Sequence, residues 1–170
     1  DMILIQDPYR FREEFRKSDG HDDIGLAVDR FGAIYASNNY TILKLGPDGK
    51  VIGEWGGEGT GLGQFNGISG IAVDSAGNVY VADTRNHRIQ KLSASGGRPL
   101  ASWGNQGSGP GQFFYPKDIA LDAQGNIYVA DSENHRIQKL SPAGKFLAQW
   151  GNMGQFGNKP QKGTEPGQFN

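Results

Sequence analysis

A chain of 170 residues with 17 basic and 18 acidic side chains is the size of one domain, and its net charge of −1 lacks the basic excess of a dedicated nucleic-acid binder. It has no cysteine, which excludes disulfides and thiolate metal sites, and no apolar stretch reaches the roughly 18 residues of a membrane-spanning helix. Its 27 glycines and 8 prolines point instead to many tight turns joining many short strands.

Residues 1–21 follow no repeat. Met2–Ile5 is too short for a secretion signal and reads as an outer strand of a neighbouring sheet. Tyr9–Lys17 mixes charge with aromatics, and Tyr9 and Phe11 are candidate contacts for a partner. From residue 22 the chain repeats in three units, 22–69, 70–116 and 117–170, the first degenerate. The second unit reads Gly70-Ile-Ala-Val-Asp74, then Gly77-Asn-Val-Tyr-Val-Ala-Asp83, then Asn86-His-Arg-Ile-Gln-Lys-Leu92, then Leu100-Ala-Ser-Trp103. The third repeats it from Asp118 to Trp150, and the first from Gly25 to Trp55. Each unit holds four short β-rich runs, a to d. Run a (71–73) is almost wholly apolar and is expected to be buried on both faces. Runs b and c alternate. An Asp-x-x-Gly turn joins a to b, its carboxylate capping the turn.

Repeated residues invite a structural reading first. Trp55, Trp103 and Trp150 close run d and are expected to pack against the neighbouring unit. Asp83 with Arg88, and Asp131 with Arg136, flank the b–c turn. The first unit lacks both partners, so each pair is expected to act together as a structural ion pair or capped turn. His87 and His135 recur about 48 residues apart, at a place where equivalent positions do not converge. Asp29, Asp74 and Asp122 are explained by their turns. No catalytic, metal-binding or cofactor-binding residue is assigned, and no cofactor is expected. The crossovers between units are glycine-rich and end in Gly-Gln-Phe. The third, from Trp150 to Phe169, carries a nine-residue insertion relative to the others. Met153, Phe156, Lys159 and Lys162 within it are candidate partner contacts.

The run from Gly70 to Leu92, with the preceding Gly-Gln-Phe, resembles the NHL repeat, strongly in units two and three and weakly in unit one. The resemblance implies an all-β fold of β-propeller blades with four antiparallel strands each. About three blades are present, and the ring of such proteins is most often six-bladed. The chain is therefore expected to be a segment of a longer propeller. A homodimer of two such chains closing a ring is the alternative.

The leading functional expectation is a non-catalytic scaffold that binds a protein partner, or the remainder of the propeller, with no membrane insertion. One alternative is a propeller lyase or hydrolase whose channel site needs further blades. The other is single-stranded RNA binding through Arg85, Lys117, Lys159 and Lys162. The resemblance also implies an extracytoplasmic location, periplasmic or secreted.

Overall fold

The computed structural model describes residues 24–151. They form three four-stranded antiparallel sheets, each a meander in chain order. The first contains β1 (Leu26–Val28), β2 (Ile34–Ser37), β3 (Thr41–Leu45) and β4 (Val51–Gly56). The second contains β5 (Ile68–Val73), β6 (Val79–Asp83), β7 (Arg88–Leu92) and β8 (Pro99–Trp103). The third contains β9 (Pro116–Leu121), β10 (Ile127–Asp131), β11 (Arg136–Leu140) and β12 (Phe146–Gly151).

Local chemistry sets the hairpins. Asp74 Oδ1 accepts hydrogen bonds from the amides of Ala76 and Asn78 at 3.0 and 2.8 Å, closing the β5–β6 turn. Asp29 and Asp122 do the same in the other sheets. The β6–β7 and β10–β11 turns are single 3₁₀ turns, Thr84–Asn86 and Ser132–Asn134, each closed by a histidine in the left-handed conformation.

The core lies between sheets. Tyr35 and Ile42 of the first sheet meet Val79, Val81 and Leu92 of the second. Tyr80, Ala82 and Ile89 of the second meet Ile127, Val129 and Leu140 of the third. Phe65 and Phe113, the last residues of the Gly-Gln-Phe crossovers, are fully buried in these two clusters. Each such ring stabilises its seam by roughly 1.5–3 kcal/mol.

The expectation that run a is buried on both faces needs correction. Ile71 is buried, but Ala72 and Val73 are half-exposed, and Leu26 and Val28 of β1 are exposed. The strand buried throughout is β6. It has a strand on each side and a sheet against each face, whereas run a forms the inner edge of its sheet. These inner edges crowd together: a side chain on Gly70 would begin 2.8 Å from Asp118 Cα.

Candidate functional site

The Asp–Arg pairs sit at the seams between sheets. Arg88 Nε donates to Asp83 Oδ2 at 2.7 Å, and its other nitrogens donate to the carbonyls of Thr60, Gly61 and Gln64. Asp83 Oδ1 also accepts from the Asn66 amide. Gln90 takes the Gln64 carbonyl and the Gly63 amide, and Asn86 takes the Gly59 carbonyl. One sheet thus grips the backbone of the crossover arriving from the previous sheet, while the crossover's Phe65 ring is buried in the seam. The third sheet repeats the grip with Asp131, Asn134, Arg136 and Gln138. Here Arg136 Nε lies 2.6 Å from Asp131 Oδ2 and both side chains are fully buried. In the first sheet Asn38 occupies the Asp position and caps its own turn through Tyr40 and Thr41. The sequence exposed the Asp and Arg but not the asparagine and glutamine beside them, although the near-identical Asn-His-Arg-Ile-Gln runs carried that signal.

The tryptophans stand at the outer rim. Trp55 lies tilted beside Tyr35, whereas Trp103 stacks near Tyr80 and Trp150 near Tyr128, with ring centroids 5.9, 6.3 and 6.3 Å apart. Lys44, Lys91 and Lys139 cover the other tyrosine faces. Trp55 lies against Gly97 and Trp103 against Gly144 of the next sheet, so close that a side chain there would collide with the indole. Trp150 is 47% exposed. The tyrosine hydroxyls donate to Asp29, Asp74 and Asp122, which tie these carboxylates to their own turns. The Asn126 side chain, before other hydrogen bonds, holds Asp122 below the usual carboxylate range. Among the described residues no three His, Cys, Asp or Glu side chains come together as a metal site.

The concave surface lies elsewhere, where the inner strand ends meet the b–c turns. A cavity of about 310 Å3 is lined by Asn39, Thr84, Arg85, Tyr115, Lys117 and Glu133, among others. A neighbouring groove of about 480 Å3 runs past Ile24, Ser69, Gly70 and Asp118. Tyr115 is unusual in having φ +53° without being glycine. The equivalent residue one sheet earlier is Gly67, at φ +71°. A bulky residue held there costs on the order of 1–2 kcal/mol. His87 supports it: the Tyr115 amide donates to His87 Nδ1 at 3.1 Å, and the imidazole packs on Phe114 and edge-on to Tyr115. Burial lowers the His87 pKa below its ordinary 6.5, against the opposing pull of Asp131 and Asp83. His87 was expected to be structural, but its partner was not foreseen, and nothing in the sequence marked Tyr115. Of the residues expected to contact a partner, Tyr9, Phe11, Met153, Phe156, Lys159 and Lys162 lie outside the described residues.

Four-stranded meanders packed face to face, with their first strands gathered at a common inner edge, are blades of a β-propeller. The NHL repeat model matches residues 65–92 and 113–140, and the chain carries NHL repeats in its second and third sheets. Human NHL repeat-containing protein 3 is 39% identical over 70 residues, covering 38% of this chain and 20% of the human protein. Among solved structures, hydrazine synthase of Kuenenia stuttgartiensis superposes with TM-score 0.60 at 16% identity, over 78% of this chain and 36% of that one. Virginiamycin B lyase of Staphylococcus aureus gives 0.57 at 17% identity, over 80% and 42%. The chain therefore spans about a fifth of its curated relative and less than half of these structures.

Proposed function

We propose that this chain is a non-catalytic interaction module that binds a protein segment on the face bearing the 310 Å3 cavity. One observation carries this reading. Repeat-equivalent residues are alike where they build the frame and unlike where they line the concavity. Asp, Asn, Arg and Gln recur at the seams of both NHL units, and all are occupied by internal hydrogen bonds. At the inner face, Ser69 is replaced by Lys117, Gly70 by Asp118, Gly67 by Tyr115 and Arg85 by Glu133. A rigid frame with individually varied loop positions suits recognition. Arg85 and Glu133 on one rim favour a partner offering both charges over a uniformly anionic nucleic acid.

The test is selection from a random-peptide display library against the wild type and an Arg85→Glu/Lys117→Glu variant. Peptides enriched by the wild type and lost by the variant support the reading; enrichment indifferent to these substitutions sinks it. The lyase alternative, expected from the family resemblance, gains only the fold from the S. aureus neighbour at 17% identity.

A further inference from the structure

Tyr115 is a residue of the concave face whose conformation is held in place by a neighbour. In the first seam the equivalent position is Gly67, which takes φ +71° without strain and whose amide donates to the Asn39 carbonyl at 2.9 Å. In the second seam the same turn carries a tyrosine at φ +53°, and its amide donates to His87 Nδ1. Where the first seam uses a backbone acceptor, the second uses a titratable one. The tyrosine ring is not spent on the core: Tyr115 is 37% exposed and lines the 310 Å3 cavity. Both of its neighbours are pinned independently. The Phe114 amide donates to Asp131 Oδ1, the Phe114 carbonyl accepts from the Glu133 amide, and the Pro116 carbonyl accepts from Thr84 Oγ1. Tyr115 is therefore a link that can turn between fixed points, and the proline after it steers a released residue toward the extended region.

We propose that His87 is a positioning residue for this face: neutral, it holds Tyr115 on the cavity wall, and protonated, it releases Tyr115, so that recognition weakens in mild acid. The consequence for recognition rests on the interaction-module reading; the movement of Tyr115 does not. A neutral imidazole with its proton on Nε2 accepts at Nδ1, whereas an imidazolium donates at both nitrogens and would set N–H against N–H. The charged groups around the ring come from its own turn, the third sheet and the crossover. Asp83 lies on its own turn and is bound by Arg88, with Arg85 two residues before the histidine. Asp131 acts from the third sheet and is bound by Arg136, with Glu133 two residues further on. The crossover from Gly104 to Tyr115 brings no charged side chain, only the Tyr115 phenol. Burial of the imidazole outweighs the pull of the two carboxylates, each already paired, and keeps the ring neutral at neutral pH.

Two measurements test this. The first is NMR of the full 15N-labelled chain titrated from pH 7.5 to 4.5, which needs no partner. At pH 7.5 His87 Nδ1 should give the resonance of an unprotonated acceptor. On acidification the Tyr115 amide should shift with the same midpoint as the His87 ring, while the buried amides of Val79 and Val81 stay in place. The shift should vanish in His87→Gln. A His87 ring that titrates with the Tyr115 amide unmoved overturns the proposal. The second is the affinity of a display-selected peptide at the two pH limits, measured for wild type and His87→Gln so that the peptide's own titration cancels. The wild type should lose about fivefold more affinity on acidification than the variant, the worth of one ordinary hydrogen bond. Equal losses overturn the proposal. A library that yields no peptide at pH 7.5 sinks the interaction-module reading alone, and the Tyr115 titration then decides the role of His87.

Discussion

Replacing Arg136 by methionine should be among the most damaging single changes in the third sheet. The side chain is fully buried against Asp131. Its bonds include the carboxylate and the carbonyls of Ser108, Gly109 and Gln112, so its loss strands both an anion and the crossover backbone. Removing one partner of a buried pair costs about 3–5 kcal/mol, because the remaining charge keeps its desolvation penalty. Against a total stability of roughly 5–15 kcal/mol, that is a large share. Arg88→Met should cost less, since Arg88 is 14% exposed and water can reach part of what it leaves. The double variant Asp131→Asn/Arg136→Met should fall short of the sum of its singles by at least about 1 kcal/mol, the mark of direct coupling. Urea unfolding followed by tryptophan emission measures all four variants. A cost below about 1 kcal/mol for Arg136→Met, or strict additivity in the double variant, would refute the reasoning.

Phe113→Ala should cost about 3–5 kcal/mol in the same assay, since the ring is fully enclosed between the second and third sheets. Gly144→Ala and Gly49→Ala share a positive φ and its penalty of roughly 1–2 kcal/mol. Only Gly144→Ala also drives a methyl into Trp103, so it should be the worse by about 1–3 kcal/mol, and equal melting temperatures would contradict the indole packing. His87 should make the fold acid-sensitive. Its folded pKa lies below 6.5, so the unfolded chain binds more protons, and stability declines as pH falls from about 6.5 to the folded value, then levels. Subtracting His87→Gln unfolding curves measured from pH 7.5 to 4.5 isolates this component, and a flat difference would contradict it.

Much of the frame was legible because the same chemistry is written more than once. Asp-x-x-Gly turns, alternating runs and terminal tryptophans each have a local cause, and repetition separates cause from accident. The burial of run a was misread because a fully apolar run looks alike whether it lies mid-sheet or at the inner edge. The concave face was not legible for a related reason. Tyr115 is remarkable only as a φ angle, and Asn39, Arg85, Lys117 and Glu133 are distant in sequence and ordinary in composition. Their juxtaposition depends on how three sheets sit side by side, which no single unit encodes. Asn86, Asn134, Gln90 and Gln138 were within reach, since they fall inside the repeated run, but their purpose becomes visible only with the crossover in place.

The most direct test of the interaction-module account is calorimetric binding of a library-selected peptide to three proteins: wild type, Arg85→Glu/Lys117→Glu and Trp150→Ala. The account predicts at least a tenfold loss of affinity for the double charge reversal and none for Trp150→Ala, which lies at the outer rim. Undiminished binding by the charge-reversed protein, or loss confined to Trp150→Ala, would contradict it and move the recognition surface off the inner face.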